Sequence, residues 1–125
     1  MTKIEFRALL DALAAAWARK DYASAADFFA PDVRYSDPWR YAHSGRENLY
    51  RFFADDDGLE QSTVWHTVVF DEEMQVGGVE YTYEGTHRYH GTVLVRVQDG
   101  RITLWREYQH VDPRSWEEVV GETRF

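Results

Sequence analysis

The hydrophobic rhythm of the chain is mainly helical spacing in its first half and mainly alternation in its second. Phe6, Leu9, Leu10, Leu13 and Trp17 recur at helical intervals, with Lys3, Arg7, Asp11 and Arg19 on the other face. This predicts an amphipathic helix over residues 3–19, opened by a capping box of Thr2 and Glu5. Asp21 caps a shorter helix holding Tyr22, Ala25, Ala26, Phe28 and Phe29, which Pro31 stops. Val33 to Asp37 alternates as a short strand. Ser44 and Glu47 read as a second capping box, opening a third helix with Leu49, Phe52 and Phe53 on its buried side. That helix runs into Asp55, Asp56 and Asp57, acids that oppose its dipole and predict a frayed, solvated end. From Ser62 onward the pattern is that of strands: Thr63–Phe70, Val79–His87 after a Gly77-Gly78 turn, Gly91–Val97, and Ile102–His110 after an Asp99-Gly100 hairpin. Trp116, Val119 and Val120 return to helical spacing after Pro113.

Helices first and an antiparallel meander afterwards is an α+β layout, with helices laid on one side of a curved sheet. No repeat, low-complexity segment or linker interrupts it, so residues 1–125 read as a single domain.

Composition sharpens this picture in two ways. Twenty Phe, Tyr and Trp residues in 125 exceed what a core this size needs, so some should line a cavity or an interface. The net charge of −8, with no run of Lys and Arg, argues against a nucleic-acid or anionic-membrane partner. The absence of cysteine removes disulfides and thiolate chemistry and suits a reducing cytoplasm. The first residues lack the apolar core of a signal peptide, and the longest apolar stretch, 12–18, is too short to span a bilayer. A soluble, cytoplasmic protein is the expectation.

The candidate chemistry centres on Tyr35-Ser36-Asp37-Pro38-Trp39. Alternation puts Asp37 on the face of Val33 and Tyr35, where burial would raise its pKa and suit it to act as a base. The rival reading is a solvated Asp opening an Asp-Pro turn. Glu107, beside Trp105 on the last strand, is a second acid. His66 lies in the apolar run Val64-Trp65-His66-Thr67-Val68 and reads either as an acid–base partner or as a structural histidine. Trp17, Tyr35, Trp39, Tyr81, Tyr83 and Trp105 are the aromatics expected to shape a pocket. On the last strand, Ile102, Leu104 and Tyr108 compete with Trp105, Glu107 and Gln109 for the inner face, and a bulge could switch between them. His87 and His90, three apart, fall on opposite faces of a strand, so no metal site is expected. No phosphate-cradling loop, nucleophile elbow or dinucleotide fingerprint occurs.

Five segments together carry a resemblance: Lys20-Asp21-Tyr22 through Asp32-Val33, Ser36-Asp37-Pro38, Ser44-Gly45-Arg46-Glu47-Asn48-Leu49, Tyr83-Glu84-Gly85-Thr86-His87, and Asp99-Gly100-Arg101-Ile102. Their order and spacing resemble the nuclear transport factor 2-like superfamily, in its SnoaL-like and ketosteroid-isomerase-like branch. The resemblance implies a cone-shaped, mixed but mostly antiparallel sheet wrapped on three N-terminal helices, a cystatin-like α+β barrel with a deep pocket, usually homodimeric. It places Asp37 where the ketosteroid isomerases keep their proton-shuttling Asp. Their oxyanion-hole Tyr would fall at Leu13 and their oxyanion-hole Asp at about Val93, neither of which donates a hydrogen bond. Near Val93 the polyketide cyclases place a His, also absent, while Glu107 resembles the acid that SnoaL-type cyclases carry on the last strand. The Asp–Arg–Asp arrangement of the epoxide hydrolase branch is matched only loosely by Asp37, Arg106 and Glu107, since Arg106 and Glu107 alternate in facing.

The expectation is therefore an enzyme without a cofactor or metal, doing acid–base chemistry on a hydrophobic or aromatic small molecule. Asp37 would be the base, and Glu107 or His66 the acid or the group that orients a water. The alternative is a non-catalytic binding or dimerising domain of the same fold. A homodimer through the outer sheet face is expected in either case.

Overall fold

The computed structural model describes residues 1–56 and 58–125, so the part of the acidic run at Asp57 lies outside the described residues. Helix α1 (Lys3–Ala18) begins at the expected capping box, and its buried side is Phe6, Leu9, Leu10, Leu13, Ala16 and Trp17. Asp21 caps α2 (Tyr22–Asp27) by accepting from the Ser24 N–H at 3.2 Å. That helix ends before Phe28, and β1 (Phe29–Asp37) starts at once, so Phe29 is a strand residue paired with Ile102 rather than part of the helix.

Two further expectations at this end are corrected. A strand absent from the sequence reading, β2 (Tyr41–Ser44), folds back on β1 and contains Ser44. Ser44 therefore caps nothing; the residue before α3 (Arg46–Ala54) is Gly45, at φ 87°, a left-handed conformation that glycine adopts without strain.

The second half is a meander of β3 (Ser62–Asp71), β4 (Val76–Glu84), β5 (Arg88–Gln98) and β6 (Arg101–Val111). The six strands form one sheet in the order β2-β1-β6-β5-β4-β3. Among the described residues only β1 and β6 run parallel, and all other neighbours are antiparallel. The sheet curves around the three N-terminal helices, as the α+β expectation required. Asp99 and Gly100, both at positive φ, form the expected tight β5–β6 hairpin. Gly77-Gly78, in contrast, is no turn but the start of β4. A Cβ on Gly77 would come within 2.4 Å of the Phe6 ring, so its missing side chain lets α1 approach the sheet.

Two irregularities decide which side chains face inward. The β3–β4 register skips between Trp65 and Thr67, leaving His66 as the extra residue, and the β5–β6 register skips at Thr103. Beyond Thr103 the inward set is Trp105, Glu107 and Gln109, which settles the competition on the last strand. Helix α4 (Trp116–Val120), capped by Ser115 and Glu118, follows the last strand.

Candidate functional site

An aromatic-walled cavity of about 350 Å³ opens between the helices and the inner sheet face. The walls come from α1 (Trp17), the α2 start (Tyr22), both β1 and β2 (Tyr35, Tyr41), α3 (Phe52, Phe53) and the inward residues of β3 to β6. Exposed Asp55, Asp56 and Leu59, following α3, form one side of the rim, and Gly85 with Thr86 of the β4–β5 turn lie in the lining too.

Glu107 is the polar centre of this wall. Its carboxyl is buried, at 5 % exposure, and receives donors from three strands. Tyr35 Oη at 3.3 Å and Trp105 Nε1 at 2.7 Å donate to Oε1. Tyr41 Oη donates to Oε2, and Gln109 Nε2 lies 3.4 Å from the same oxygen. Gln109 in turn donates to Tyr41 Oη at 3.2 Å and accepts from Tyr81 Oη at 2.5 Å. A relay thus runs from Tyr81 through Gln109 and Tyr41 to Glu107. Burial pushes the Glu107 carboxyl up to about 8; the Tyr35 hydrogen bond pulls it down, and the charge of Asp37 adds to the rise. Burial also raises Tyr35 and Tyr81, keeping both phenols protonated and able to donate.

Nearer the rim a second relay links Tyr83 Oη to Gln61 Oε1 at 3.0 Å and Gln61 Nε2 to Tyr22 Oη at 2.9 Å, and Tyr22 donates to Asp56. Lys20 Nζ lies 3.6 Å from Asp56 and donates to the Leu59 carbonyl at 2.7 Å.

Of the residues singled out from the sequence, Trp17, Tyr35, Tyr81, Tyr83, Trp105 and Glu107 all line the cavity. Asp37 is fully buried, which excludes the solvated Asp-Pro turn, yet it does not line the wall. Its Oδ1 accepts from the Trp39 N–H at 3.1 Å, while Oδ2 has no hydrogen bond among the described residues and faces Arg40 Nε at 3.8 Å. Asp37 and Glu107 each follow by one residue the paired Ser36 and Arg106, so the acid that ends β1 lies beside the acid in the middle of β6.

Trp39 and His66 are placed elsewhere. Trp39 is 76 % exposed and packs edge-on to Tyr108 outside the cavity. The bulge turns His66 to the outer face, where it bonds Thr82 Oγ1 at 2.6 Å and stacks on Trp116 at 4.3 Å. Thr82 continues to the buried His90 at 2.9 Å, and His90 Nε2 reaches the Arg114 carbonyl at 2.8 Å. Among the described residues no three His, Asp or Glu side chains come together in a way that could hold a metal ion. Tyr41, Gln109, Gln61 and Tyr22 join the site without having been singled out. Gln109 was within reach, since it shares a face with Trp105 and Glu107; Tyr41 was hidden with its strand.

The SnoaL-like domain model matches residues 10–105, from α1 to the middle of β6. The chain belongs to the SnoaL-like family. No curated protein sequence matches it. Among solved structures, a protein of unknown function with a cystatin-like fold from Methylobium petroleophilum superposes with a TM-score of 0.78 at 16 % identity, covering 93 % of this chain and 82 % of that one. An LEH-like epoxide hydrolase of M. tuberculosis gives 0.73 at 18 % identity, covering 86 % and 84 %. A protein with a ketosteroid isomerase-like fold from Catenulispora acidiphila, in complex with trimethylamine, gives 0.70 at 21 % identity, covering 91 % and 90 %. At these identities the SnoaL-like chain shares the fold of its neighbours. Among the described residues no helix is long and apolar enough to cross a membrane.

Proposed function

We propose that this SnoaL-like protein catalyses acid–base chemistry on an apolar or aromatic small molecule held in the cavity, with Glu107 giving and taking the proton. The observation that carries the reading is a buried carboxyl in a cavity wall with a proton affinity near neutral pH. Below about pH 8 the acid form can donate to a bound ligand, and above it the carboxylate can accept. Isomerisation, cyclisation, dehydration and hydration all need a group of this kind. Tyr41 and Gln109 bond the carboxyl and Tyr81 bonds Gln109, and the two hydroxyls can reorient as the carboxyl changes charge. Asp37 is given a different part from the one its sequence position suggested. Buried behind the wall, it tunes the proton on Glu107 by its charge rather than touching the ligand. Trp39 and His66 have no part in this reading.

A second reading, a binding domain without catalysis, has one observation in its favour. Leu13 and Val93, where ketosteroid isomerases have oxyanion donors, are fully buried apolar residues outside the cavity wall. The experiment that separates the two is solvent exchange. Aromatic ketones incubated with the protein in D2O should gain deuterium next to the carbonyl, and Glu107→Gln should abolish the gain while ligand binding persists. Binding with no exchange by the wild type would favour the second reading, and exchange surviving in Glu107→Gln would remove Glu107 from the mechanism. In either case we expect a homodimer through the part of the outer sheet face that carries Val64, Val69, Leu94 and Tyr108, all partly exposed.

A further inference from the structure

We infer that the cavity selects a small organic cation, an amine with its positive charge on nitrogen beside an apolar body. This deepens the functional reading above and rests on that cavity being the binding site. Eleven of the twenty lining residues are aromatic and three are acids, Asp55, Asp56 and Glu107; among the described residues, no Lys, Arg or His lines it. Ring faces attract cations through their quadrupoles, most strongly in a desolvated site. A concave surface lined by one sign of charge concentrates ligands of the other sign.

The neighbouring cations are already committed. Lys20 pairs with Asp56 at 3.6 Å, and Arg40 lies 3.8 Å from Asp37. The Arg40 guanidinium also sits 5.5 Å from the Tyr89 ring centre, a cation–π contact made by a ring that lines the cavity. Matching each base with its acid leaves Asp55 and Glu107 without a positive partner. Asp55 has no ion pair among the described residues, and the four groups around Glu107 are neutral donors. An ammonium beside Glu107 would favour its ionised form, which burial disfavours.

A second, independent observation marks the wall as a ligand surface. Trp17 lines the cavity and is buried, yet its Nε1–H has no acceptor among the described residues. Buried donors are nearly always paired, so this one marks the wall as a ligand surface; an acceptor on the apolar body of the amine would complete it, while the aromatics and acids choose the charge.

Benzyltrimethylammonium, benzyl alcohol and benzoate share a ring and differ in charge, and the cavity tryptophans supply a fluorescence signal for titrating each against the intact protein at pH 7. The cation should bind roughly tenfold more tightly than the alcohol, and benzoate more weakly than either. Asp55→Asn, at an exposed rim position, should weaken the cation several-fold and leave the alcohol unchanged. Equal or tighter binding of the alcohol or benzoate overturns the cation inference while leaving an aromatic pocket in place. No response to any of the three overturns the inference together with the cavity's role as a binding site.

Discussion

Tyr35 and Trp105 lie flat against each other, ring centres 5.7 Å apart and planes within 1°, and both donate to the same oxygen of Glu107. They are direct partners in the parallel β1–β6 register, so the ladder itself aligns the two donors. The carboxyl is thereby held by backbone pairing rather than by side-chain torsions alone. Its ionisation can be read through stability as well as through turnover.

Stability should fall as pH rises. Glu107 ionises at the usual 4.5 in the unfolded chain and at about 8 in the folded one. Between these values the folded state binds more protons, so its stability is greatest below 4.5 and is lost as pH climbs through 8. The slope should approach roughly 1.4 kcal/mol per pH unit at its steepest. Thermal melts from pH 5 to 9 should show it, and Glu107→Gln should flatten the curve; an unchanged slope in that variant would assign the titration to another group.

Tyr41→Phe and Asp37→Asn should move the Glu107 ionisation in opposite directions. The first removes a hydrogen bond to the charged form and shifts it upward; the second removes a nearby negative charge and shifts it downward. Each shift should be on the order of one unit. The pH profile of turnover, or of ligand affinity, measures both. Complete loss of turnover in Asp37→Asn with the profile unmoved would restore Asp37 as the base.

Gly77→Ala should destabilise the fold by about 1–3 kcal/mol, since the new methyl would overlap the Phe6 ring buried in the core. Urea denaturation gives the number. A neutral result would mean that α1 can move off the sheet at little cost.

Sedimentation at micromolar concentration should give twice the chain mass of 14.7 kDa. Val64→Glu with Leu94→Glu, both partly exposed, should return the protein to a folded monomer. A wild type that stays monomeric on concentrating would mean that the outer face needs no cover beyond what the chain supplies.

What was legible in the sequence was what local chemistry specifies. The Thr2 and Glu5 capping box, the Asp99-Gly100 hairpin and the apolar spacing of α1 each work within a few residues of themselves. The errors lie where the deciding partner is distant. Gly77 resembles a turn glycine until Phe6 is packed against it. Tyr41 and His43 lie in a four-residue strand with no β-branched residue to announce it, and with it went one of the donors to Glu107. His66 sits among apolar residues that suggest an inward position, but one extra residue opposite β4 turns it out toward Trp116. Five of the eleven cavity aromatics and its central acid were among the candidates named in advance, although alternation left the facing of Trp105 and Glu107 open until the bulge at Thr103 decided it. The demotion of Asp37 from wall to support could not be named in advance, because it depends on how the β1–β2 turn closes over it.

The parallel pairing of β1 with β6 joins residues such as Tyr35 and Glu107 that are 72 positions apart. Every other strand contact in the sheet can form between sequence neighbours, whereas this one must wait for the longest loop in the chain to close. Neither the helical half nor the meander contains a complete binding site. Recognition is thus a property of the last contact to form, and the cavity stays unfinished in any partly folded chain.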